Sequence, residues 1–322
     1  MNRPDNKYSR RRFLGTMALA GAAIPLTGNS FGDLITFPIA CTRPIHIFSK
    51  PLQWLEFDAL AEMMIEAGAE GIDLSVRSGG HVLPENVETD LPKAVEAARK
   101  KGLRIDMIVT GIINAEEKYT ESVLKTASSL GIKYYRLGYI NYDDSIDITA
   151  CFNKLRSDFQ KLAALNKKYN IHGAYQNHTG VRLGAQVWDL YELLKDLDPQ
   201  YIGCQYDVRH AMVEGFNSWV NNFKLINPWV KCTDIKDYKW TLTNGKWAPE
   251  SVPIGEGMVN FDTYFKLVKK YNVPGPMSIH LEYPPFERFT QVMSPAEKYK
   301  LFVTAMKKDI DAVKLFRDKY QL

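Results

Sequence analysis

Three short polar strings hold the groups in this chain best suited to chemistry. They are Tyr206-Asp207-Val208-Arg209-His210, Asp234-Ile235-Lys236-Asp237 and His280-Leu281-Glu282. Each ends an apolar run, and Gln176-Asn177-His178 ends the run before them. Acid and imidazole groups at the carboxyl ends of consecutive parallel strands converge on one mouth. Side chains alternate between the two sides of a strand, so Gln176, Asp207, Asp234 and His280 are expected to point inward at similar height. Two carboxylates, an imidazole nitrogen and an amide oxygen make a donor set for one divalent ion such as Mn²⁺, Mg²⁺ or Zn²⁺. The alternative is a hydrogen-bonded polar cluster without a metal.

Acid–base and binding candidates surround that centre. Lys236 shares the inward face and would polarise a carbonyl, or else pair with Asp237 and hold the loop. Glu282 is a candidate base, or the partner that orients His280. His280 is itself a candidate base if it binds no metal. His210 stands where the strand passes into its loop and is expected to touch a substrate oxygen. Arg77-Ser78-Gly79-Gly80 leads to His81, in a loop suited to fold over a ligand. Arg77 and His81 therefore join His178 and Trp240 as substrate-binding candidates. Asp73 is expected inward, supporting His81 or a ligand hydroxyl. Tyr139, Tyr142, Trp247, Tyr283 and Phe286 crowd the same loops as Trp240. Flat apolar faces beside polar groups are how sugars are held. His46 and His172 read as structural.

The elements that must position these groups alternate eight times. Short apolar or β-branched runs predict strands over 34–39, 71–76, 104–109, 134–137, 173–176, 202–207, 230–234 and 277–281. Apolar residues at helical spacing predict helices over 54–67, 91–101, 116–130, 148–169, 187–197, 217–226, 261–271 and 296–320. Eight βα units with short connections predict one closed (β/α)₈ TIM barrel over 31–322. No Gly-x-Gly-x-x-Gly follows a strand, which argues against a dinucleotide-binding half. The longer loops, 77–90, 238–260 and 283–295, are expected over the mouth, where loops decide substrate choice.

Residues 1–30 read as a leader. Ser9-Arg10-Arg11-Arg12-Phe13-Leu14 precedes a short apolar stretch, the pattern of a twin-arginine export signal. It predicts a periplasmic address and no stable membrane insertion once the signal is removed. Arg3, Lys7, Arg10, Arg11 and Arg12 against Asp5 account for the whole net charge of +4. The remainder is formally neutral, with 36 basic and 36 acidic residues and no long Lys/Arg-rich run, so nucleic acid is not an expected partner. Cys41, Cys151, Cys204 and Cys232 lack metal-ligand spacing, and the last two sit inside strand-like runs as core residues.

The whole chain after the leader resembles the sugar phosphate isomerases and epimerases of the xylose isomerase-like barrel superfamily. The strings that carry the likeness are Asp207-x-x-His210, Lys236-Asp237, Pro253-Ile254-Gly255-Glu256-Gly257 and the run around His280. In that family one metal is bound by Glu, Asp, His and Glu on strands five to eight, and the two glutamates move the proton beside the carbonyl. The resemblance implies those places for Gln176, Asp207, Asp234 and His280, and a substrate contact for His210. Only Asp207 keeps the family's residue type. An amide is no general base, so the proton must pass through another group. Three function classes follow: a metal-dependent isomerase or epimerase of a carbonyl-bearing sugar, a lyase or hydrolase of 3-keto-glycosides, and a sugar-binding barrel without catalysis.

Overall fold

The computed structural model describes residues 42–287 and 292–322. The leader, the run 34–39 and Cys41 lie outside the described residues. Strands β1 (Ile45–Phe48), β2 (Gly71–Val76), β3 (Arg104–Thr110), β4 (Tyr134–Arg136), β5 (His172–Gln176), β6 (Ile202–Asp207) and β7 (Val230–Ile235) belong to one sheet. A hairpin of β8 (Asp237–Thr243) and β9 (Lys246–Val252) follows, and β10 (Met277–Ile279) completes the sheet. The barrel is closed and parallel in the order β1-β10-β7-β6-β5-β4-β3-β2. Helices α1 (Phe57–Ala67), α2 (Val87–Lys100), α3 (Thr120–Ser129), α4 (Ile148–Tyr169), α5 (Val187–Leu194), α6 (Val208–Gly215), α7 (Trp219–Ile226), α8 (Phe261–Lys270) and α9 (Pro295–Tyr320) lie between and after the strands. This is the expected (β/α)₈ fold.

The strand that opens the barrel is Ile45–Phe48, not the run 34–39. It pairs with β10 and β2, so it closes the ring. Four residues interrupted by a histidine give a weak apolar signal. That histidine has a structural reason to be there. His46 fills the bottom of the barrel, with Nε2 3.1 Å from Asp106 Oδ2. A Cβ at Gly71 would strike the His46 ring, so glycine makes room for it. Above it Met107, Ala174 and Cys232 form an apolar plug beneath the polar layer. Outward strand residues such as Ile72, Leu74, Tyr175 and Tyr206 pack under the helices.

The loop expected over 238–260 begins as the β8–β9 hairpin. Its turn is Asn244-Gly245, both with positive φ (52° and 71°), which is the two-residue turn that matches strand twist. Asp237 does not pair with Lys236. Its carboxylate accepts from the backbone N–H groups of Gly255, Gly257 and Val259 at 2.9–3.0 Å, and so ties down the Pro253-to-Gly257 string. Among the described residues no helix is long and apolar enough to cross a membrane.

His172 sits fully buried at the start of β5, with Nδ1 3.1 Å from the Gln200 carbonyl oxygen. Burial pushes its pKa down to about 4. The unfolded chain therefore binds this proton more readily than the folded one. Stability from His172 is complete above about pH 6.5 and is lost as pH falls toward 4, by about 3 kcal/mol for this one residue. Urea unfolding at pH 7.5 and pH 4.5 should show a His172→Gln variant losing less stability on acidification than the parent chain. An equal loss in both would assign the acid lability elsewhere.

Candidate active site

Two charge clusters stand one above the other inside the carboxyl end of the barrel. The upper one centres on Lys236, the residue just after β7. Its Nζ lies 2.9 Å from Asp207 Oδ2, 3.0 Å from Glu282 Oε2 and 2.9 Å from His210 Nε2. Burial opposes its charge, but Asp207 and Glu282 outweigh burial and hold the ammonium protonated above its ordinary range. Burial pushes Glu282 the other way, yet Lys236 wins there too and keeps this carboxyl well below the usual range. Asp207 is fully buried, and both of its oxygens are engaged. Oδ2 also accepts from Gln176 Nε2 at 2.8 Å, and Oδ1 accepts from the His210 backbone N–H at 3.1 Å.

That last bond corrects the expected place of His210. It lies not in a loop but in the first turn of α6, which starts directly after Asp207 and is capped by it. Its ring stacks on His178 with centroids 3.8 Å apart. Nδ1 receives Arg209 Nη1 at 2.9 Å and the Thr179 N–H at 3.3 Å, while Nε2 faces Lys236. Burial first, then Lys236, His178 and Arg209, push its pKa well down, so the ring is neutral. A neutral imidazole accepts at one nitrogen only, so this ring cannot satisfy the donors that face both of its nitrogens.

The lower cluster is Asp73, Asp234 and His280. His280 Nε2 is 3.1 Å from Asp234 Oδ1 and 3.8 Å from Asp73 Oδ2. Burial lowers its pKa, but Asp234 and then Asp73 raise it to about 9. Ser278 Oγ donates to Asp73 Oδ2 at 2.7 Å, and Gln205 Nε2 donates to Asp234 Oδ1.

These positions revise the expected ligand set. Gln176, Asp207, Asp234 and His280 do not meet at one point. Gln176 and Asp207 bond to each other and to the Lys236 cluster, because the lysine ammonium occupies the place of a cation there. Asp234 and His280 instead meet Asp73, and one ligand atom from each of the three lies within 4.8 Å of the others. Asp73 Oδ1 and Asp234 Oδ2 are buried without a hydrogen-bond partner, while His280 Nε2 faces Asp234 Oδ1. Two carboxylates with unspent buried oxygens, and an imidazole that would give up its proton on binding, fit a divalent cation.

The other candidates divide. His178 lines a cavity of about 360 Å³ with Arg209, His210, Glu282 and residues 249–251 of β9. His81 does not reach it: its ring nitrogens lie 3.2 Å from Ser75 Oγ and the Leu52 carbonyl oxygen, so it anchors its loop. Nor does Asp73 support His81. Trp240 packs edge-on against Tyr238 on the hairpin, and the paired strand provides the cavity wall instead. Arg77 stands with Phe48, its Cζ 5.6 Å from the ring centroid. Arg136, absent from the residues expected at the site, ends β4 and donates to Gln176 Oε1 at 3.0 Å. Alternation along Tyr134-Tyr135-Arg136 was the available signal.

The chain belongs to the xylose isomerase-like TIM barrel family, whose profile matches residues 61–308. No curated protein sequence matches it. Solved structures share its fold at low identity. The IolI protein with a binding zinc atom is 16% identical with a TM-score of 0.65, covering 86% of this chain and 99% of its own. D-psicose 3-epimerase with D-tagatose, from Clostridium cellulolyticum H10, is 10% identical with a TM-score of 0.64, covering 85% and 99%. The 3-keto-D-glucoside 4-epimerase YcjR from E. coli is 11% identical with a TM-score of 0.59, covering 82% and 99%.

Proposed function

We propose that this protein is an isomerase or epimerase that moves a proton beside the carbonyl of a small sugar. The observation that carries the reading is the Lys236 ammonium held between Asp207, Glu282 and His210 at the mouth of the barrel. Glu282 is the one partly exposed carboxylate of that cluster, and it takes the proton from the carbon next to the carbonyl. Lys236 meets the charge that develops on the substrate oxygen. As Lys236 turns to that oxygen it releases Glu282, whose affinity for a proton then rises. His210 contacts a neighbouring oxygen, which relieves the donors it cannot satisfy. Asp207 positions Lys236. Returning the proton to the neighbouring carbon, while the hydroxyl proton passes through Lys236 to the former carbonyl oxygen, gives the isomer; turning of the enediolate before Glu282 returns the proton to the same carbon gives the epimer.

Asp73, Asp234 and His280 are the residues that would hold a divalent ion. Such an ion supplies Lewis acidity toward a carbonyl oxygen and its adjacent hydroxyl. Dialysis against Mn²⁺ or Zn²⁺ followed by metal analysis should give one ion per chain, lost in Asp234→Ala. Retained metal in that variant would place the ion elsewhere. The function is tested by incubating the protein with ketohexoses, aldohexoses and 3-keto-glycosides and resolving the products. New isomers support the reading; release of the glycosidic group makes the protein a lyase; binding without any product leaves a sugar-binding barrel.

We propose export to the periplasm through the twin-arginine route, supported by Arg10-Arg11 before the short apolar stretch. Replacing both arginines with lysine should leave folded protein in the cytoplasm on cell fractionation. An unchanged periplasmic yield would refute the address.

A further inference from the structure

Each carboxylate of the mouth faces a cationic side chain. Asp207 and Glu282 face Lys236, and Asp73 and Asp234 face His280. Two guanidinium groups beside them have no such partner. Among the described residues no carboxylate makes an ion pair with Arg77 or Arg136. Arg136 is 3% exposed. Its Nη1 donates to Gln176 Oε1 at 3.0 Å and to Tyr139 Oη at 3.3 Å, and its Nε is buried with no hydrogen-bond partner. One edge of the guanidinium, Nε with Nη2, is therefore unspent. Arg77 follows β2 directly. The Cζ atoms of Arg77 and Arg136 lie 5.6 Å and 5.8 Å from the centroid of one ring, Phe48, which itself stands 4.6 Å from the His280 ring.

A buried guanidinium without a counter-charge is costly, and a second cation beside the same ring adds repulsion. An anion between the two would remove both penalties. The free Nε–Nη2 edge is a planar fork, which matches the two oxygens of a carboxylate through parallel N–H···O bonds. We propose that Arg77 and Arg136 form a carboxylate subsite, so that the substrate is a sugar acid such as a hexuronate. Its carboxylate would lie against Phe48 and its carbonyl end toward Lys236. This rests on the isomerase or epimerase reading of the mouth and narrows its substrate.

The test is calorimetric binding to the purified chain of an ionised hexuronate, its neutral parent hexose and the hexose 6-phosphate. A charge-assisted fork predicts about ten- to hundredfold tighter binding of the uronate than of the hexose. Arg77→Gln, at a half-buried position that tolerates substitution better than Arg136, should bring the two affinities together. Arg77→Lys, which keeps the charge, should restore part of the gap. Equal affinities in the wild type, or equal weakening of both ligands by Arg77→Gln, would overturn the subsite. Tighter binding of the 6-phosphate than of the uronate would overturn the carboxylate assignment. Binding is read without turnover: a chain that prefers uronates yet forms no product fails as an isomerase while keeping this subsite.

Discussion

Glu282→Gln should lower turnover by about 10²–10⁴-fold, the usual contribution of a positioned general base. The amide keeps the shape of the side chain and an oxygen for Lys236, which now lies 3.0 Å away. It removes only the ability to accept a proton from carbon. The side chain is at the rim and partly exposed, with Lys50 Nζ 3.6 Å from its other oxygen. Thermal unfolding should move less than for a loss of Lys236, because the buried ammonium keeps Asp207 Oδ2 at 2.9 Å as its counter-charge. Turnover close to the parent value in a folded variant would remove Glu282 from the proton path.

Lys236→Met should have the largest effect on stability. Its side chain is buried, and among the described residues it is the only ammonium touching the fully buried Asp207. Taking away one member of a buried pair leaves an uncompensated charge and typically costs about 3–5 kcal/mol. Gln176 and the His210 N–H still donate to Asp207, which places the expected loss toward the lower end of that range. Adding Asp207→Asn removes the stranded charge and should recover much of the stability. It should not recover activity, because no cation would face the substrate oxygen. Chemical unfolding of the single and double variants separates the two effects. Equal stability of the parent and Lys236→Met would mean that the pair is not what holds this mouth together.

The fold was legible because the strand and helix periods repeat at regular spacing along the chain. Ile45–Phe48 escaped because a barrel-plugging histidine interrupts four residues. The hairpin escaped although Asn244-Gly245 marks it, because its strands are largely exposed and show no apolar face. The candidate site was half legible. Alternation correctly put Gln176, Asp207, Asp234 and His280 inside the barrel. It could not show that an inward lysine would claim Asp207, nor that Asp234 and His280 would turn to Asp73 on a strand far away in sequence. Long side chains choose partners by reach and charge, and a one-dimensional pattern carries neither. Arg136 was missed for a related reason: a three-residue strand gives too little sequence to mark which side chains face inward.

The most direct measurement is hydrogen exchange at carbon. Wild-type protein would be incubated in D₂O with carbonyl-bearing sugars, sugar acids included, and the recovered sugar examined by NMR and mass spectrometry. We expect one deuterium at the carbon beside the carbonyl of the accepted sugar, and its loss in Glu282→Gln. If no carbonyl sugar that binds the wild-type protein acquires deuterium at that carbon, proton transfer at the Lys236–Glu282 mouth is contradicted.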